Sequence, residues 1–200
     1  MKKITLLLAG MIMATGSFAQ FNWGLKTGMN FSNLINSRYT SIKTGMHVGF
    51  FGEYRAAQWF ALQPELLYSV QGGSDITKEN LITSRQRIRL NYVILPVTAK
   101  FYVTRNLSID AGPQVGYVIR AKRFDKDIDN TESRRAVNKY KREFNAGDYN
   151  VFDFSATAGL TYKLTRRIGV SARYSHGIND FLVNGDWKNS VIQTGFLIGF

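Results

Sequence analysis

Apolar side chains recur at every second position in eight separate runs, at 23–32, 44–54, 60–71, 87–103, 107–120, 151–164, 168–178 and 189–200. A period of two sends successive side chains to opposite faces of an extended chain, whereas an amphipathic helix repeats every 3.6 residues. The chain is therefore built from strands. Fourteen Phe, ten Tyr and eighteen Gly against three Pro suit that architecture.

The connections alternate in length. Segments 55–59, 104–106 and 165–167 are tight turns, and 33–43, 72–86, 121–150 and 179–188 are long and polar. At the amino end Lys2 and Lys3 precede an apolar run over 4–16, and Ser17-Phe18-Ala19 supplies small residues before Gln20. That is the form of a secretory signal peptide over 1–19, leaving a mature domain over 20–200. The apolar run is shorter than the roughly 20 residues a spanning helix needs, and no later segment supplies one.

Exported chains with runs long enough to cross a bilayer as tilted strands, an even strand number and alternately short and long connections match outer-membrane barrels. The expected fold is all-β, an eight-stranded antiparallel up-and-down transmembrane β-barrel with both termini in the periplasm of a Gram-negative cell. A soluble barrel would turn the apolar face inward, so the opposite face decides. In the run 151–164 that face carries Asp153, Ser155, Thr157, Gly159, Thr161 and Lys163, and in 168–178 Gly169, Ser171, Arg173 and Ser175. Small and isolated charged residues suit a crowded lumen in which eight strands all contribute side chains.

Aromatic residues gather where strands meet lipid interfaces, Trp23, Tyr54, Trp59, Phe60, Tyr102, Tyr162 and Phe200 at one end and Phe31, Tyr68, Tyr117, Phe152 and Tyr174 at the other. The fourth run is irregular, since 90–97 is apolar on both faces and Pro96 cannot donate to a ladder. A bulge near Pro96 is expected, with Arg89 and Asn91 inward before it and Thr98 and Lys100 inward after it.

Gly24-Leu25-Lys26-Thr27-Gly28, Gly45-Met46-His47-Val48-Gly49-Phe50, the stretch 90–102 and Ala111-Gly112-Pro113-Gln114-Val115-Gly116-Tyr117 together resemble the porin-family outer-membrane β-barrel domain of Bacteroidetes, small proteins of the OmpX-like kind. The resemblance spans the mature chain and implies a fold and a location. One branch of that family includes a component linked to the type IX secretion system.

Lys26, Arg89, Lys100, Lys163 and Arg173 are expected to share the lumen with Glu53, Glu65, Asp110 and Asp153, with Gln63, Gln71 and Gln114 among them. Charges in so narrow a space must be paired, so a connected network filling the barrel is expected, with a narrow porin or small-solute channel as the alternative. The long segment 121–150 offers Arg134, Arg135, Lys139, Lys141 and Arg142 as external basic contacts. Within it 132–144 is expected to form a short helix, with Val137, Tyr140 and Phe144 on one side.

The formal net charge of +12 on an exported chain points to outer-membrane lipid and lipopolysaccharide rather than nucleic acid. The absence of cysteine removes a lipid anchor, disulfides and thiolate metal sites. Catalysis has poor candidates. His47 is expected in the lumen beside a carboxylate, His176 on the outer wall, and Asp125, Asp127 and Asp129 lack the glycine and closing glutamate of a calcium loop. No cofactor is expected. Phe200, ending an outward row with Phe196 and Ile198, is read as a signal to the barrel-assembly machinery, and the barrel as a monomer with a structural or surface-interaction role.

Overall fold

The computed structural model describes residues 21–35, 41–79, 82–129, 136–143, 150–180 and 188–200. The expected signal segment lies outside them. The strands are β1 (Phe21–Ile35), β2 (Lys43–Tyr54), β3 (Phe60–Glu79), β4 (Ile82–Tyr102), β5 (Leu107–Asp129), β6 (Ala136–Glu143), β7 (Phe152–Lys163), β8 (Ile168–Gly177) and β9 (Lys188–Gly199). All pairings are antiparallel, in the order β4-β3-β2-β1-β9-β8-β7-β5, and β4 pairs β5 to close the ring. Eight strands thus form a closed barrel, as the alternation predicts. Closure removes every unpaired edge from the part of the sheet that lipid must surround.

Phe21, Phe200 and the three tight turns lie at one end of the barrel, the terminal end. Two of those turns share a device, because Thr104 and Thr165 each accept, through Oγ1, the backbone N–H three residues on, at 3.0 Å from Leu107 and 3.0 Å from Ile168. The same Thr-Arg-x-hydrophobe spelling therefore makes the same turn twice.

Side chains divide as the period of two requires. Trp23, Phe50, Phe154, Phe196 and Ile198 point out and are 42–58% exposed, while Lys26, Asn30, His47, Glu65 and Arg173 point in and are buried. A continuous apolar exterior around a charged interior inverts a soluble protein and is stable only in lipid. Ring pairs mark the rims. Trp23 and Phe200 lie 5.0 Å apart at the terminal end, and Tyr117 and Phe152 lie 5.5 Å apart toward the other, the far end.

The inward rows admit glycine where the next strand's backbone approaches too closely for a side chain. A Cβ on Gly49 would meet the Leu66 carbonyl, and one on Gly28 the Thr194 carbonyl. Gly72 has φ +138°, a conformation that L side chains rarely adopt.

Three expectations about elements are corrected. β4 keeps one parity from Ile88 to Lys100, with no bulge at Pro96, and its register with β3 is unbroken. The two-sided apolar stretch arises because Ile88, Leu90, Tyr92 and Ile94 face inward and pack with Leu67, Val118 and Ala121. The bulge lies in β5, where Asn91 pairs with Arg120 and Tyr92 with Val118, so Ile119 is the extra residue and both Ile119 and Arg120 face outward.

The long polar segments are also more regular than expected. β3 and β4 continue pairing out to Glu79 opposite Ile82, through the stretch expected as loop 72–86. Instead of a helix over 132–144, β6 pairs with β5 from Lys122 opposite Glu143 to Asp129 opposite Ala136. The protruding β5 offers a backbone edge, and an eight-residue strand satisfies it where a lone amphipathic helix would leave it open. β3 to β6 thus form an arm beyond the barrel ring.

Candidate functional site

The lumen is filled in tiers, each set by which strands bring inward residues to one level. Nearest the terminal end, Glu53 of β2 meets Lys163 of β7 at 3.0 Å and Lys100 of β4 at 3.6 Å. The Tyr102 hydroxyl donates to Glu53 at 2.7 Å, with the Arg55 guanidinium 4.1 Å above its ring. Tyr102 has inward parity and is not part of the rim belt expected of it.

The middle tier is a four-strand ionic cluster. Arg173 of β8 forks onto Glu65 of β3 at 2.8 and 2.9 Å and onto Asp110 of β5 at 3.0 Å. Lys26 of β1 donates to both Glu65 oxygens at 3.1 and 3.0 Å. Gln63 links the two tiers, donating to Glu65 at 2.5 Å and accepting from Lys100 at 2.7 Å. The planar fork of arginine allows two carboxylates to be held at once, which lysine at that position would not do.

Above this lies a tier of amides. His47 Nδ1 contacts Asn30 Oδ1 at 2.8 Å, so its expected carboxylate partner is replaced by an amide oxygen. Asn30 also donates to the Ser69 hydroxyl at 2.9 Å, and Asn189 donates to Gln71 and, at 3.1 Å, to Asp153. The apolar cluster around Leu90 and Tyr92 completes the filling beside β3, β4 and β5.

Of the nine charged residues expected in the lumen, Lys26, Glu65, Asp110 and Arg173 come together in the middle tier, and Glu53, Lys100 and Lys163 in the lower one. Asp153 joins the amide tier. Arg89 does not enter, because unbroken β4 parity turns it to the exterior, where it is exposed. Arg134 and Arg135 lie outside the described residues. Lys139, Lys141 and Arg142 fall on β6, and their side chains lie outside the described ones. His176 is exposed, with Nδ1 3.2 Å from the Tyr174 hydroxyl. Of the amide tier, Asn30, His47 and Gln71 are expected inward from the sequence, whereas Asn189 and Gln193 were missed although they share the inward parity that singled out the charges.

Among the described residues no group of three His, Asp or Glu side chains could hold a metal. Among the described residues no helix is long and apolar enough to cross a membrane. The arrangement compensates charge across the lumen and brings strands of distant sequence together.

A family model described as outer membrane protein beta-barrel domain matches residues 18–183. The chain belongs to this family. Among solved structures, this outer-membrane barrel is similar to Ail, the attachment invasion locus protein of Yersinia pestis, with TM-score 0.53 and 12% identity over 90% of this chain and 99% of that one. Neisserial surface protein A matches with TM-score 0.46 and 9% identity over 91% and 98%, and CarO of Acinetobacter baumannii with 0.48 and 11% over 88% and 98%. Among curated proteins none matches the barrel.

Proposed function

We propose that this outer-membrane barrel is non-catalytic and non-conducting, with a lumen that serves as a packed polar core and a structural or surface-interaction role exercised at the far end. The observation that carries this reading is the cluster of Lys26, Glu65, Arg173 and Asp110, which bridges β1, β3, β8 and β5 across the interior. An eight-stranded barrel is just wide enough to be filled by side chains, whereas open channels take roughly 16–18 strands. Strands protruding as an arm from the same end supply a surface for contact.

Short turns at the terminal end support a periplasmic position for both termini, after cleavage before Gln20, with the arm outside the cell. Phe200 in the exposed terminal row is then available to the barrel-assembly machinery. Arg134, Arg135, Lys139, Lys141 and Arg142 would offer charge to lipopolysaccharide, and a closed barrel without an open edge needs no second copy. The motifs around Gly24, Gly45 and Gly112 favour the Bacteroidetes porin-like branch.

Planar-bilayer recording of the refolded barrel tests the plug. The expected trace is flat, and stable, reproducible conductance steps would establish a narrow solute channel instead.

A further inference from the structure

The outer wall changes character at one level on two adjacent strands. On β4 the outward residues Phe101, Val97, Leu95 and Val93 give way to Asn91, Arg89 and Arg87, and on β5 the row from Ile109 to Ile119 gives way to Arg120. At about 3.3 Å per residue and a tilt of about 40°, Ile109 to Ile119 rises about 25 Å, the height of a lipid-facing band. The basic residues therefore begin where head groups begin.

The register gathers them. Asn91 stands opposite Arg120, Arg89 opposite Lys122, and Gly72 of β3 opposite Arg89. Lys43 of β2 has the inward parity of His47 and lies behind them, donating to the Gln71 carbonyl at 2.7 Å. Arg87, Arg89 and Arg120 are exposed, and among the described residues none of the three forms an ion pair. Like charges facing each other across a ladder destabilise it, and Arg89 and Arg120 are diagonal neighbours at roughly 7–8 Å. The β5 bulge is what brings Arg120 to the outside beside them.

We propose that Arg87, Arg89 and Arg120 bind the phosphate groups of the phosphorylated glycolipid of the outer leaflet, whose acyl chains lie along Val93, Val115 and Ile119. Guanidinium forks match phosphate oxygens, and the apolar wall directly below holds the chains, so an amphiphile satisfies both surfaces where a free anion satisfies one. This rests on the reading that the far end faces outward. The site lies where the barrel wall meets the arm, and it does not include Arg134, Arg135, Lys139, Lys141 or Arg142.

Retention of lipid by the barrel in neutral detergent, read by native mass spectrometry, tests it. Diphosphorylated lipid A is expected to stay bound, while phosphatidylglycerol and inorganic phosphate are not. The Arg87→Gln/Arg89→Gln/Arg120→Gln variant is expected to bind lipid A roughly tenfold or more weakly, and Arg105→Gln/Arg166→Gln at the terminal turns to bind as the parent does. Should the triple variant not fold, dephosphorylated lipid A with the unaltered barrel makes the same comparison and is expected to be lost. Equal retention of phosphatidylglycerol and lipid A, of dephosphorylated lipid A, or by the folded triple variant would overturn the proposal. Conductance reports on the lumen alone, so this proposal and the plug fail separately.

Discussion

Arg173 is the residue on which most of the interior depends, because its one guanidinium compensates Glu65 and Asp110 together. Removing a single partner from a buried ionic cluster leaves uncompensated charge, at a cost of about 3–5 kcal/mol. Arg173→Met is expected to lower the unfolding free energy by that amount, read from a urea titration followed by heat-modifiable gel mobility. Lys26→Met is expected to cost less, since Glu65 keeps both arginine bonds. A second pair of substitutions separates close backbone approach from mere smallness. Gly49→Ala is expected to block assembly, because its Cβ meets the Leu66 backbone, whereas Gly199→Ala, with no atom nearer than 3.7 Å, is expected to assemble normally. At this scale much was legible, since inward parity alone picked out Lys26, Glu65, Asp110 and Arg173. Arg89 was misread because an apolar row facing the lumen and one facing lipid look alike in sequence, and only the ladder says which is which.

Among the elements, β4 and β5 show where an irregularity can be carried. β5 already holds one residue too many, and Val118, Arg120 and Ala121 would alternate correctly without it. Deleting Ile119 is therefore expected to yield a folded, heat-modifiable barrel with a regular β4–β5 ladder. Inserting one residue after Pro96 is expected to abolish folding, because it turns Thr98 and Lys100 out of the lumen and breaks the ties to Gln63 and Glu53. Strand existence was legible wherever lipid and lumen differ in polarity. It was not legible in the arm, where backbone pairing holds Ser74, Thr77 and Lys78 opposite Arg87, Ser84 and Thr83 without any period of two.

For the whole molecule, barrel and arm are separable in principle, since the ring closes through β4–β5 contacts from Tyr92 to Tyr102 that the arm does not supply. Replacing 123–149 with a short turn is expected to leave assembly into outer membranes intact, scored by heat-modifiable mobility in membrane fractions. Loss of the folded band would show that the arm nucleates the barrel. The middle tier draws residues 26, 65, 110 and 173 from four strands spread over most of the chain. A partly built sheet must therefore expose ionised groups to lipid until the last strand arrives. The seam between first and last strands is the step at which those groups find one another, so the cluster acts as a latch that favours only the completed ring and makes half-inserted intermediates short-lived.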